Sequence, residues 1–119
     1  MVASNVPVSE LLRTELIRKY NEVDSDPDNR ISKRKFYTEI IKIGLERLLE
    51  MKECKENRVL SKPKVNGERV DGKYHISFDR DEIKYEVKRV KKECLFNSDT
   101  DCILASLCLG LDLEIECFD

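Results

Sequence analysis

Ser32-Lys33-Arg34-Lys35 is the stretch of the 119-residue chain with the most evident chemistry. A hydroxyl able to cap a helix is followed at once by three cations. Guanidinium and ammonium groups then stand beside backbone amides that a helix start leaves without intrahelical partners. That arrangement binds anions, phosphate above all. Cations at this position oppose the helix dipole, so their presence asks for a reason outside the helix. A second set, Lys73, His75 and Ser77, alternates with Tyr74, Ile76 and Phe78. This is the period-two pattern of a strand with one polar and one apolar face. Asn5 belongs to a shorter pattern, Asn5-Val6-Pro7-Val8, in which Val6 and Val8 share a face. Pro7 cannot donate to a ladder, so this strand must have an open edge.

Other reactive side chains do not assemble into a site. The cysteines Cys54, Cys94, Cys102, Cys108 and Cys117 contain no C-x-x-C pair, and His75 is the one histidine. Neither a zinc site nor an oriented catalytic thiol follows from that set. Cys102 and Cys108 read as small buried hydrophobes. Asp24, Asp26 and Asp28 sit in turn chemistry and lack the spacing and terminal glutamate of a calcium loop. No catalytic residue, metal site or cofactor is expected.

Composition bounds the class. Hydrophobic residues make up 40% and charged residues 39%, which suits one compact domain or two very small intertwined ones and does not suit disorder. No run approaches the roughly 18–20 apolar residues of a membrane span. The start MVASNVPVSELL lacks the basic and apolar regions of a secretory signal. The expectation is an intracellular, cytoplasmic protein without a membrane partner. The net charge of −2 hides an asymmetry: residues 1–64 balance to +3 and residues 65–119 to −5. A basic face can therefore exist locally. Glutamine is absent while Lys and Glu are abundant, a usage found in hyperthermophiles, whose intracellular proteins also carry disulfides.

The elements that must position these residues follow from periodicity. After residues 5–8, Ser9 caps a helix with Leu12, Leu16, Tyr20 and Val23 on one stripe. Turn residues around Pro27 end it. Ser32 caps a second helix, expected to run to about Lys55, with Phe36, Ile40, Ile41, Leu45 and Leu48 apolar. Gly44 inside it costs about 1 kcal/mol against Ala, which points to close approach of another helix. Residues 56–72 read as a linker with room for a small hairpin at Asn66-Gly67. Residues 73–78 form the strand described above, followed by a helix carrying Ile83, Val87 and Val90. Ser98 and Asp101 approximate a capping box before a last, deeply buried helix.

Residues 32–50 also overlay residues 98–116 at an offset of 66, with Ser32 on Ser98 and Gly44 on Gly110. The chain thus reads as strand–helix–helix stated twice. Residues 1–55 would form a first unit and 73–119 a second, sharing one core. A lone unit leaves its strand unpartnered, whereas two units pair their strands antiparallel. The fold class expected is mostly α with a short two-stranded antiparallel β-ribbon. Val6, Val8, Tyr74, Ile76 and Phe78 would form its core face. Its other face would be polar and of major-groove width.

That pattern resembles the ribbon-helix-helix superfamily of DNA-binding proteins, the Arc and MetJ type, with two copies in tandem as a pseudo-dimer. The resemblance is best in residues 73–78 with the helix after them, and in SKRKFYTEIIKIGLERLL. It implies that Asn5, Lys73, His75 and Ser77 face the bases of double-stranded DNA, with Ala3 and Pro7 limited to apolar contact. It implies that Ser32, Lys33, Arg34 and Lys35 grip phosphate. It further implies a transcription regulator, mostly a repressor, that self-associates on DNA, of the kind found in archaeal viruses or plasmids. Two departures stand out: Ser98-Asp99-Thr100-Asp101 is acidic, and the family's glycine between the helices is missing. The acidic second half and Pro7 support an alternative, a protein-interaction module such as an antitoxin or viral inhibitor on the same scaffold.

Overall fold

The structure is a computed structural model that describes residues 3–24, 31–51, 62–94, 96 and 98–115. In chain order these form β1 (Ala3–Val8), α1 (Glu10–Asp24), α2 (Lys33–Glu50), β2 (Lys64–Val65), β3 (Glu68–Arg69), β4 (Tyr74–Asp79), α3 (Arg80–Glu93) and α4 (Asp99–Gly110). The chain is mostly helical with a small two-stranded antiparallel sheet and a separate short hairpin. No helix among the described residues is long and apolar enough to cross a membrane. Asp26, Asp28, Cys54 and Cys117, and the expected helix extension toward Lys55, lie outside the described residues.

The sheet joins the start of the described chain to a strand from its second half. β1 and β4 run antiparallel with Val6 opposite Ile76, Asn5 opposite Ser77 and Pro7 opposite His75. Alternation sends Val6, Val8, Ile76 and Phe78 inward, where all four are buried. Both strands keep an open edge, which is how Pro7 is accommodated without an orphaned ladder position. Tyr74 departs from expectation. It follows the inward row yet remains 41% exposed, because the ribbon ends there and Arg13 from α1 covers its ring at 4.8 Å.

Beneath the ribbon, α2 and α4 make the most extensive helix–helix contact. A Cβ on Gly44 would overlap the backbone of Ser106, and a Cβ on Gly110 would overlap the backbone of Ile40. The two contacts are reciprocal at the offset of 66 seen in the sequence, since Gly44 corresponds to Gly110 and Ile40 to Ser106. β4 packs over α2, and β1 packs over α4. Leu12 and Leu16 of α1 and Ile83, Val87 and Val90 of α3 close the core from the sides. Each fully buried aliphatic side chain contributes about 1.5–3 kcal/mol by removal from water.

The helices start and stop for local reasons. Ser9 Oγ accepts from Leu12 N at 3.2 Å, Ser32 Oγ from Lys35 N at 3.2 Å and Ser98 Oγ from Asp101 N at 3.1 Å. The Asp101 carboxylate does not complete a capping box; its oxygen lies 3.8 Å from Lys62 Nζ. α4 stops at Gly110 although the apolar pattern continues to Ile115. Asp112 takes the left-handed conformation at φ 63°, with Asp112 N donating to Leu109 O at 3.0 Å and Leu113 N to Cys108 O at 2.9 Å. This is a Schellman ending with Asp in the glycine position. Arg47 of α2 holds it, donating to Asp112 Oδ1 at 2.5 Å and to the Leu109 carbonyl. α2 and α4 thus start at positions 66 apart, but α4 ends at Gly110 whereas α2 runs on to Glu50.

The hairpin turns at Asn66 and Gly67, both at positive φ. It delivers Val65 and Val70 into the core. Ser9 N donates to Val70 O at 2.6 Å, which ties the hairpin to the start of α1. Arg69 grips Asp71 at 2.9 and 2.6 Å and holds that carboxyl below its ordinary range. Cys94 is disulfide-bonded, while Cys102 and Cys108 are buried thiols. Burial pushes the Cys102 thiol up to about 12.

Candidate nucleic-acid interface

A two-stranded ribbon has only two faces, and burying one defines the other. The row opposite Val6 and Ile76 contains Asn5, Pro7, His75 and Ser77. Asn5 and His75 are exposed, and Pro7 and Ser77 are half-buried. Lys73 is exposed as well, but it precedes the strand by one position, because β4 starts at Tyr74. It flanks the ribbon where it was expected to lie within it. Ala3 pairs with Asp79 at the far end.

The ribbon face is already organised across its strands. Ser77 Oγ donates to Asn5 Oδ1 at 2.8 Å. This bond uses one of the two lone pairs of the Asn5 oxygen and leaves the amide NH₂ as a donor. A bidentate contact to adenine uses both the oxygen and the nitrogen of Asn. The Asn5 amide, tied to Ser77, retains both groups for such a contact. No sequence pattern predicts this coupling, because the two residues lie in different halves of the chain.

At one end of the ribbon stands the start of α2. Lys33, Arg34 and Lys35 are all exposed there. Lys33 Nζ lies 5.9 Å from the centre of the Tyr20 ring. Tyr20 in turn donates to Ile31 O at 2.8 Å and meets Phe36 edge-on at 5.5 Å. These contacts fix where the helix begins. Behind it, burial raises the Tyr37 hydroxyl above its usual range, with Tyr20 reinforcing and Arg13 opposing the shift.

The α2 start does not present cations alone. A depression of about 510 Å³ is lined by Ser32, Arg34 and Lys35 together with Asp79 and Glu82. Asp79 is 7% exposed, and its Oδ1 has no hydrogen-bond partner. Its backbone N donates to Thr38 Oγ1 at 2.8 Å, which ties the end of β4 to α2. Asp79 occupies the N-cap position of α3 without a side-chain capping bond, so the helix dipole supplies its compensation. Glu82 is half of a 3.7 Å ion pair with Lys42. The anion-binding character of the α2 start is thus tempered by two carboxylates that come from the second half of the chain.

Along β1, a second depression of about 430 Å³ lies between β1, α3 and the start of α4. Ser4 and Asn5 line it from the ribbon, Arg80, Lys84 and Lys88 from α3, and Asp99 and Thr100 from α4. The three cations recur every four residues along one flank of the helix. That spacing is visible in the sequence, but nothing local reveals that the flank adjoins Asn5. Among the described residues, no group of three His, Cys, Asp or Glu could hold a metal ion.

Together these features give a narrow polar ribbon with two groups of cations beside it, one from α2 and one from α3, a surface suited to a polyanion with hydrogen-bonding edges. Comparison with protein-family models, curated proteins and solved structures finds no match to this chain.

Proposed function

We propose that the chain is a non-enzymatic DNA-binding regulator, a repressor, that lays the β1–β4 ribbon in the major groove of double-stranded DNA. In this reading it is a tandem ribbon-helix-helix pseudo-dimer. The observation that carries the proposal is the pairing of Val6 with Ile76, with Asn5, His75 and Ser77 on the opposite, accessible face. Asn5, Lys73, His75 and Ser77 contact base edges, and the α2 start with Ser32, Lys33, Arg34 and Lys35 holds phosphate. The reciprocal Gly44 and Gly110 contacts support an internal two-fold relation, in which each patch meets its own equivalent. The acidic start of α4 supports a second step, self-association that sets two basic α2 starts on one duplex.

Fluorescence anisotropy with a labelled duplex at low salt tests the reading. The chain should bind, Lys73→Ala should weaken binding, and Lys33→Ala/Arg34→Ala/Lys35→Ala should weaken it evenly over all sequences. Absence of binding, or binding indifferent to all four substitutions, discards the proposal. Pro7 in the outward row and Tyr85 at 77% exposure favour a second reading, a protein-interaction module on the same scaffold. Capture of a host protein that survives nuclease treatment, with no duplex binding, would select it.

A further inference from the structure

We propose that the basic flank of α3, Arg80, Lys84 and Lys88, is the phosphate grip of the second half of the molecule, in place of the acidic start of α4. The inference rests on the reading of the chain as a duplex binder and adds contact residues to it. Three observations carry it. The cations occupy one flank at spacings of four and are all exposed. Among the described residues no carboxylate pairs with any of them. They share one depression with Asn5, an outward residue of the ribbon.

The rest of α3 shows that this is not the helix's general condition. On its other flank Glu82 pairs with Lys42 at 3.7 Å, and Arg89 pairs with Glu93 at 3.5 Å. Asp99, the carboxylate that lines the same depression, lies 3.4 Å from Lys91. The two depressions therefore differ in where their cations come from. One uses the start of α2, tempered by Asp79 and Glu82; the other uses the side of α3, with its acid engaged elsewhere. From Arg80 to Lys88 the helix rises about 12 Å. That is comparable with the length of about three phosphates at roughly 3.4 Å of duplex axis per strand. α3 begins where β4 ends, beside the Ala3–Asp79 pair, so a duplex seated on Asn5 runs its backbone along this flank.

The test measures anisotropy of a labelled random-sequence duplex across a salt series. Four proteins are compared: the unaltered chain, Arg80→Ala/Lys84→Ala/Lys88→Ala, Arg80→Lys/Lys84→Arg/Lys88→Arg, and Arg89→Ala. Each lost phosphate contact lowers the slope of log K against log salt by about 0.9. The triple alanine variant should lose about 2 to 3 from that slope and at least tenfold in low-salt affinity. The charge-preserving variant should keep both, and Arg89→Ala should change neither. If the unaltered chain binds and the triple alanine variant keeps its slope, this inference is overturned while the proposed function stands. An equal loss in Arg89→Ala overturns it too, as a general charge effect. If the unaltered chain fails to bind, the proposed function falls and takes the inference with it. The charge-preserving variant guards against loss of fold, since a misfolded scaffold would not be rescued by side chains of the same charge.

Discussion

Gly44→Ala sets two known effects against each other, and the structure decides the sign. In an isolated helix, Ala in place of an interior Gly stabilises by about 1 kcal/mol. In this molecule the added methyl would meet the O, C and Cα atoms of Ser106, all closer than 3.0 Å and all backbone. No rotamer change can relieve such an overlap, so α2 and α4 must move apart. A gap of ~0.5–1 Å forfeits a quarter to a half of the dispersion between facing atoms. Ile41, Leu45 and Leu48 on α2 and Leu104 and Leu107 on α4 are all nearly fully buried, so several side chains lose together. Overpacking of this kind costs about 1–3 kcal/mol; with the loss at the upper end and the propensity gain of about 1 kcal/mol set against it, a net destabilisation of about 2 kcal/mol is expected. For a domain of this size that is a fall in Tm on the order of 10 °C. Gly110→Ala, which meets the Ile40 backbone, should behave alike. The double variant should lose less than the sum, because both methyls open the same crossing. Thermal and urea unfolding followed by circular dichroism measure all three. A rise in stability of about 1 kcal/mol for Gly44→Ala, as propensity alone dictates, would refute the close approach.

Other outcomes follow from single contacts. Thr38→Val removes the acceptor of the buried Asp79 N–H and should cost about 1–3 kcal/mol by urea denaturation, the penalty of an unsatisfied buried donor. Asp79→Asn removes a carboxylate that shares a depression with Arg34 and Lys35; duplex affinity should rise several-fold at low salt, with Tm nearly unchanged because Asp79 makes no side-chain capping bond for Asn to lose. Cys102, pushed from 9.0 up to about 12 by burial, should resist iodoacetamide at pH 8 until the chain unfolds, as mapped by peptide mass spectrometry. Because its folded value is the higher one, the associated stability is full below about pH 9 and is lost as pH climbs toward 12. Cys102→Ala should flatten that part of the profile.

Much of this architecture could be read in the sequence because its strands and helices are locally consistent. Residues 73–78 alternate without exception, so their strand and its inward row follow from the pleat alone. Gly44 announced a close crossing, since little else repays a glycine inside a helix. What escaped were consequences of long-range neighbours. Alternation cannot show that the ribbon ends at Tyr74 and leaves its ring to Arg13. The apolar pattern through Ile115 concealed the end of α4, because the stop depends on a left-handed Asp112 held by Arg47 from α2. The site was partly legible in the same way. Asn5, His75, Ser77 and the α2 cations were named by alternation and capping, while Lys73 fell one position outside the strand. The Asn5–Ser77 bond, the intrusion of Asp79 and Glu82, and the adjacency of α3 to Asn5 each join residues far apart in the chain.

The central claim is that the outward face of the β1–β4 ribbon is where nucleic acid lies. Titrating isotope-labelled protein with a short duplex and following its amide NMR signals tests that claim most directly. The largest shifts should gather at Asn5, His75 and Ser77, with Lys73, the start of α2 and Arg80 beside them. Shifts confined to the β2–β3 hairpin or the far end of α4, or a spectrum unmoved by saturating duplex at low salt, would contradict it.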